Sequence, residues 1–500
     1  MNLINNLLSI KLKNRIKLIQ KEIDNPIGHQ KKILISHIRY AKDTMFGKKH
    51  HFNKINNYSD FKKFVPIRDY SEFKKYIDLA KQQNKNIIWP GTTKWFAKSA
   101  GTSNNKSKFI PITDASLKNC HFKAGRDMLS MYLNQHPKSK ILKGKSLMIG
   151  GSTNINKTNS YFVGDLSGII IQNLPIWVQL KRLPNIKTAL LEDWERKIEN
   201  IINETINQNI TSISGVPSWT QIILDKLLKK TGTTNLHDIW PNLELYMHGG
   251  ISFKNYRNNF KLYTNCNSLN FLEIYNASEG FFGIQNEPLK SDLILLINHG
   301  IFYEFTPIKN GKELINNTVP IEDVEIGQVY TMIISTNGGL WRYKIGDTIK
   351  FTSTNPYKIK IAGRTTSFIN AFGEELVVSD ADTAIQYACN QTNSIVNEYI
   401  AGPRFYDNKS GCHEWIIEFK KSPKNISNFI LILDNHLQKI NSDYEAKRSK
   451  NILLRPPEIK IAKKNFFYKT MKEKNKIGGQ NKIKRLYNDR KLIEKLIEKL

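Results

Sequence analysis

Twice in this chain a helical stretch runs into a short, continuous apolar run that ends in small turn residues. Residues 192–207 lead into Ile210-Thr211-Ser212-Ile213-Ser214-Gly215-Val216-Pro217, and residues 219–230 lead into Leu243-Glu244-Leu245-Tyr246-Met247-His248-Gly249-Gly250. A strand that is apolar on both faces needs covering on both, and a helical crossover between parallel strands supplies that cover. The pattern therefore predicts βα units and a largely parallel sheet, which excludes an all-α bundle and an all-β sandwich.

The remaining segments extend this frame. Residues 1–90 read as mostly helical, with Leu34, Ile38, Ala41 and Met45 at helical spacing and a further helix opening at Ser71-Glu72-Phe73. A helix begins near Asp114, capped by Thr113 or Asp114. Ser146 to Gly151 and Ile169-Ile170-Ile171 are strand-like. From Asp292 the texture changes to short β-favouring runs over 293–297, 301–305, 329–335 and 357–361, a β-barrel-like portion. After Gly363-Arg364 come a helix over 380–389 and a strand over 414–419 with Trp415, Ile417 and Phe419 on one face. A helix over 426–440 follows, then a closing helix from Asn488-Asp489 carrying Leu492, Leu496 and Leu500. The expectation is an α/β protein in two parts. A large N-terminal domain, 1–363, holds mixed and parallel sheets flanked by helices, and a small α+β C-terminal domain spans 364–500.

Composition narrows the partners. With 500 residues and 40% hydrophobic content the chain can bury a large core. Lys and Arg number 75 against 44 Asp and Glu, a net charge of +31, which makes nucleic acid or an anionic surface a natural partner. The competing explanation is a diffuse compositional bias. Lys, Asn and Ile are abundant everywhere and no arginine-rich stripe concentrates the charge, so nucleic-acid binding is the less favoured reading. Cys120, Cys266, Cys389 and Cys412 are far apart and form no CxxC pair, which gives neither a zinc ribbon nor a disulfide framework and fits a reducing cytoplasm. No apolar run reaches the roughly 18 to 20 residues that span a bilayer. The start lacks the basic region of a signal peptide. The Lys- and Arg-bearing helix that follows, to about Glu22, can lie on a membrane or pack as an ordinary first helix.

Four stretches carry chemistry. Ser99-Ala100-Gly101-Thr102-Ser103-Asn104-Asn105-Lys106-Ser107-Lys108 combines small hydroxylated residues, a glycine and two lysines, so its backbone can fold around an anion and its lysines can neutralise it. Tyr275-Asn276-Ala277-Ser278-Glu279-Gly280 places an aromatic ring and one carboxylate around a tight turn, suited to a base and to Mg2+ beside phosphates. Leu340-Trp341-Arg342-Tyr343-Lys344-Ile345-Gly346-Asp347 ends in a carboxylate able to accept from a ribose diol. Gly363-Arg364 sets a cation at the expected domain boundary. Singly, each is equally well explained as a surface turn, a strand-end turn, a hairpin or an interface arginine. Three other matches fail. Gly144-Lys145-Ser146 lacks the upstream glycine of a phosphate-binding loop and leads into a strand. His50-His51 has no third ligand at metal spacing, and Gly215-Val216-Pro217-Ser218-Trp219 is no nucleophile elbow.

The order of these stretches resembles that of adenylate-forming enzymes. Over nearly its whole length the chain resembles the Gretchen Hagen family of auxin-responsive-promoter proteins, the acyl acid amido synthetases, especially their bacterial relatives. The resemblance rests on Phe96 to Ser103, on Gly215 to Trp219, on Tyr275 to Gly280, on Tyr303-Glu304-Phe305, on Leu340 to Asp347 and on Gly478-Gly479-Gln480-Asn481-Lys482. Ala100 and Ala277 stand where the family often has serine, Asn104-Asn105 replaces glycine-richer sequence, and Thr365 stands where the wider superfamily has a hinge aspartate.

The resemblance implies two half-reactions with ATP and Mg2+. A carboxylic acid is first adenylated with loss of pyrophosphate. An amine, typically of an amino acid, then displaces AMP to form an amide. It assigns Ser99, Gly101, Thr102, Ser103 and Lys108 to the phosphates, with Lys106 second to them. Gly249, Gly250 and Tyr275 flank adenine, Ala277 and Ser278 form the turn, Glu279 holds Mg2+ and Asp347 the ribose. Arg364 and Lys482 join Lys108 as catalytic cations when the small domain swings in, with Lys476 and Lys484 competing for the place of Lys482. Side chains for the acid are expected over 114–134 and around Trp177, 217–220 and 303–305. A thiol acceptor in place of the amine, and a non-enzymatic basic nucleic-acid scaffold, are the alternatives. A cytoplasmic monomer is the expected setting.

Overall fold

The computed structural model describes the chain except residues 1, 83, 100–107, 151–155, 158–160, 192, 251–252, 254–255, 265–268, 288–289, 310–311, 365–367, 370, 373, 375, 407–410, 449–453 and 474–482. The two helix-then-strand units form as expected. Asp193 caps Trp194–Thr205 by accepting from the Arg196 N–H, and the helix buries Trp194, Ile198, Ile201 and Ile202 on one face. Pro217 opens Pro217–Thr231, where its missing N–H costs nothing, and Gly232 ends it in the left-handed region at φ 71. Both helices pack over Ile210–Gly215 and Leu245–Gly249, around a core that includes Trp240, Tyr246 and Phe260. Each such side chain removed from water contributes about 1.5 to 3 kcal/mol.

These strands belong to a 13-stranded sheet. Arg182–Leu183, Lys145–Met148, Ile210–Gly215, Leu245–Gly249 and Asn270–Ala277 are neighbours in that order and all parallel. Beyond Ala277 every pairing in the sheet is antiparallel, through Gly280–Gln285, Leu293–Leu295, Tyr357–Arg364, Tyr343–Thr354, Val329–Thr336 and Ile301–Lys309. The expected largely parallel sheet is therefore parallel over one portion only. The reason is visible at Ala277, which pairs with Gly280 across a turn far too short for a crossover. A separate four-stranded sheet, in the order Lys108–Ile112, Trp95–Ser99, Phe162–Gly164, Asn156–Lys157, carries the hairpin around the Ser/Thr/Gly/Lys loop, with Ser99 opposite Lys108.

The C-terminal layer matches its expected elements closely. Strands Ile395–Phe405, Gly411–Lys421 and Glu458–Ala462 form a three-stranded sheet. Trp415, Ile417 and Phe419 face Phe429, Leu433 and Leu437 of the helix Ile426–Ile440. Three local expectations are corrected. Ile169-Ile170-Ile171 lies in a helix, Leu166–Asn173, because three apolar residues carry no period that separates strand from helix. Met45 is not on the face of Leu34 and Ile38: Thr44 caps a new short helix, Met45–Lys49, that leaves Met45 exposed. The closing helix is Lys491–Ile497, starting two residues later than Asp489. As expected, Lys145 opens a strand. His50 bonds the Phe64 carbonyl through Nδ1 and the Arg68 guanidinium through Nε2.

Candidate active site

Gly215, Gly249 and Ala277 close three neighbouring parallel strands, and ligands of open α/β sheets sit outside such carboxyl ends. Gly249 pairs with Ile274 so closely that a Cβ there would lie 2.4 Å from the Ile274 carbonyl oxygen. Gly250 follows at φ 85, a backbone that only glycine adopts without strain. One residue past Ile274, the Tyr275 hydroxyl donates to Asp347 Oδ2 at 2.6 Å, and both side chains are 6% exposed. Asp347 itself stands opposite Arg364 in the antiparallel register, after Gly346 at φ 88. The Tyr275 ring tilts against Phe282 with centroids 4.8 Å apart.

Ser278 and the half-buried Glu279 occupy the turn between Ala277 and Gly280. Burial raises the Tyr343 phenol well above its ordinary range, with Glu279, Tyr70, Asp69 and Asp347 adding to it, so this hydroxyl lies within the field of both site carboxylates. Around them, Ser278 Oγ and the Tyr343 hydroxyl are buried without a hydrogen-bond partner among the described residues, and the Asn276 side chain meets His121. Orphans are rare in folded proteins, and a cluster of them marks groups that a polar ligand satisfies. His121 closes a π-helical turn, Leu117–His121, an irregularity frequent at functional sites. His248 stacks on Phe253 at 3.9 Å. Burial lowers His121 to about 4 and His248 to about 3, so both imidazoles are neutral at physiological pH.

Two quoted motifs prove to be scaffold. Arg342, at φ 44, holds Glu304 in a fork, Nε to Oε2 at 2.9 Å and Nη2 to Oε1 at 2.8 Å, and donates through Nη1 to the Val65 carbonyl at 2.8 Å. Tyr58 adds a hydrogen bond to Glu304 at 2.8 Å, and Trp341 Nε1 donates to the Ile88 carbonyl at 3.0 Å. Leu340 to Gly346 and Tyr303-Glu304-Phe305 thus pin the strand that presents Asp347. Tyr303 is fully buried in that scaffold, and Trp177 lies on an outward-facing helix.

The structure thus brings Gly249, Gly250, Tyr275, Ala277, Ser278, Glu279 and Asp347 to one place. Lys108 sits at the mouth of its hairpin, Nζ 5.8 Å from the centroid of Tyr70, whose hydroxyl accepts from the Phe109 N–H at 2.8 Å. Gly101, Thr102, Ser103, Lys106, Lys476 and Lys482 lie outside the described residues, as do the side chains of Ser99 and Arg364. Of the competing lysines Lys484 is described, with Nζ 4.9 Å from the Tyr487 ring centroid. His121, His248 and Tyr343 were not singled out by the sequence. Tyr343 and His248 lie inside quoted stretches, whereas a π-turn leaves no compositional mark at His121.

The C-terminal layer meets the large part through side chains. The Tyr256 hydroxyl donates to Glu398 Oε2 at 2.8 Å, Gln221 Nε2 to Asn397 at 3.1 Å, and Tyr468 to Glu195 at 2.7 Å. Behind Glu398, Arg485 donates to Glu398 Oε1 at 2.9 Å and to Asp382 Oδ1 at 2.7 Å.

Comparison with known proteins places this geometry. The fold is shared with the GH3.15 acyl acid amido synthetase, with a TM-score of 0.80 at 16% identity over 97% of this chain and 96% of that one. A 2-hydroxyisobutyryl-CoA ligase in a post-adenylation state shares it less closely, with a TM-score of 0.61 at 12% identity over 96% of this chain and 92% of that one. Among curated proteins, a 4-substituted benzoates-glutamate ligase, GH3.12 of Arabidopsis thaliana, is 22% identical over 60% of this chain and 51% of its own length. A putative indole-3-acetic acid-amido synthetase, GH3.9 of the same plant, is 23% identical over 54% of this chain and 47% of its own. The chain thus aligns with about half the length of these two relatives. Family models for the GH3 family N-terminal, central and C-terminal domains match residues 15–269, 294–364 and 379–491 in turn. With all three matched in order on a fold shared from end to end, the chain belongs to the GH3 family.

Proposed function

We propose that this protein activates a carboxylic acid with ATP and transfers the acyl group to an amine, an amino acid by preference, to form an amide. The observation that carries the reading is the buried Tyr275–Asp347 pair at the ends of the parallel strands, beside the unpartnered Ser278 and Tyr343 hydroxyls. In the first step a carboxylate oxygen attacks the α-phosphorus and pyrophosphate departs with the electron pair of the broken P–O bond. In the second, the amine nitrogen attacks the acyl carbonyl, AMP departs, and the nitrogen gives up a proton. Neither step is redox, and both depend on orientation and on charge neutralisation.

Asp347 accepts from the ribose hydroxyls, and Tyr275 fixes the carboxylate while its ring, with Gly249 and Gly250, walls the adenine. Ser99, Gly101, Thr102, Ser103 and Lys108 hold the phosphates. Glu279, half-buried beside the unpartnered Ser278 hydroxyl, suits Mg2+, which when bound supplies positive charge at the phosphates. We divide the chain into domains 1–363 and 364–500, the smaller bringing Arg364 and Lys482 to the site by moving along a seam of side-chain hydrogen bonds. A monomer working in the cytoplasm fits this scheme. The test is mass spectrometry of the products after incubation with ATP, Mg2+, a panel of carboxylic acids and pooled amino acids. An amide formed with one AMP per product supports the reading. A thioester formed only when a thiol is offered replaces the acceptor, and no carboxylate-dependent AMP with any acid overturns the reading.

A further inference from the structure

Acidic residues are sparse in two stretches of sequence that the fold brings into contact. None precedes Glu22, and between Asp127 and Glu192 the sole acid is the half-buried Asp165. Over the same stretches Lys11, Lys13, Lys17, Lys140, Lys143 and Lys187 are exposed. The helix Asn2–Asp24 packs along Phe122–Gln135 and touches the turn Ile141–Lys143. On the other side of that turn Lys181 Nζ donates to the Leu142 carbonyl at 2.9 Å, which seats the helix Ile176–Lys181 beside it. That short helix has no buried residue. Ile176 is 80% exposed, Leu180 74% and Trp177 39%. Positions i, i+1 and i+4 of one turn therefore present two aliphatic side chains and an indole to solvent, next to exposed lysines. The carboxylates beside these lysines, Glu244 and Glu204, are half-buried and accept from the Lys140 and Asn185 backbone N–H groups. Ile10 and Leu18 are exposed in the same way on the first helix.

Aliphatic and indole side chains framed by lysine make up a surface that enters the headgroup region of an anionic bilayer, where the apolar groups leave water and the lysines meet lipid phosphates. A nucleic acid offers phosphate but no environment for Ile176 and Leu180. We propose that this face docks on an anionic lipid surface, with Ile176, Trp177 and Leu180 entering the headgroup layer and Lys140, Lys143 and Lys187 over the phosphates. No helix among the described residues is long and apolar enough to cross a membrane, so the contact is peripheral. The surface lies outside the site assigned above, and its test needs no catalysis.

The test is co-sedimentation of the full chain with vesicles of phosphatidylcholine alone and of phosphatidylcholine mixed with phosphatidylglycerol, at low and high salt. Each lysine near an anionic leaflet contributes about fivefold, so binding to the mixed vesicles should exceed binding to the neutral ones by more than tenfold and fall with salt. Changing Ile176, Trp177 and Leu180 together to Ser should abolish sedimentation without lowering the melting temperature, since all three are exposed. Leu180→Ser alone, which leaves the helix otherwise intact, should weaken it severalfold, as should Lys140→Glu with Lys143→Glu. Equal binding to neutral vesicles, or a triple variant that binds like wild type, overturns the proposal. So does a wild type that stays in solution, whether it proves to be a dimer that the triple variant dissolves or retains RNA regardless of the three changes.

Discussion

Arg342, beneath the candidate site, and Arg485, in the C-terminal layer, are both sunk among carboxylates, but their partners are distributed differently. Arg342 closes on Glu304 and the Val65 carbonyl, and Tyr58 completes the cluster, all within the large part. Arg485 binds Asp382 and Glu398 of its own layer, yet Glu398 also accepts from Tyr256 across the seam. A buried ion pair stabilises little relative to an apolar replacement, but losing one partner strands the other charge. The first cluster therefore makes the strand that bears Asp347 rigid. The second reaches across the seam through the uncharged Tyr256 phenol, beside the contacts of Gln221 and Tyr468, so that opening it leaves Glu398 still paired with Arg485.

The most severe way to break this contrast is Arg342→Met. It leaves Glu304 buried without a counterion and should cost about 3 to 5 kcal/mol in urea unfolding, most of it recovered in the double variant with Glu304→Leu. Recovery absent from the double variant means that Arg342 acts through something other than Glu304. Acidification should separate the two parts next. Burial lowers His37 and His121 to about 4 and His248 to about 3, all three deep in the large part, whereas the lowered His436 of the C-terminal layer is only partly buried. A histidine whose folded pKa lies below its unfolded value binds protons better when unfolded. Its contribution is complete above about 6.5 and is lost as pH falls toward 4, roughly 2 kcal/mol per residue at pH 5. Hydrogen exchange at pH 5 should thus show the large part opening before residues 378–421; the reverse order contradicts the assignment. Tyr256→Phe gives the smallest effect. Stability should fall by about 1 kcal/mol, adenylation should persist, and the amide-forming step should change in rate. A Tyr256→Phe protein unaltered in both half-reactions removes the seam from the account.

Periodicity made some of this legible in advance and sequence separation hid the rest. The helix Ile426–Ile440 and the strand face of Trp415, Ile417 and Phe419 follow from strong local periods and were readable to the residue. The helix Leu166–Asn173 was not, since its apolar run is too short to carry a period. Tyr275 and Asp347 were each assigned to the nucleotide on local grounds, but nothing local shows that residues 72 apart share a hydrogen bond. Arg342 and Glu304, 38 apart, were quoted in separate motifs, and only the antiparallel sheet turns them into one cluster. His121 depends on a π-turn, a backbone irregularity that composition does not announce.

The most direct test of the central claim is carboxylate-dependent exchange of labelled pyrophosphate into ATP, measured in the wild type and in Asp347→Ala. The account predicts exchange that requires a carboxylic acid in the wild type and falls at least a hundredfold in an Asp347→Ala protein that is still folded at the assay temperature, the ribose having lost its acceptor at a cost of roughly 3 kcal/mol in the transition state. Exchange of equal rate in a folded Asp347→Ala protein contradicts it.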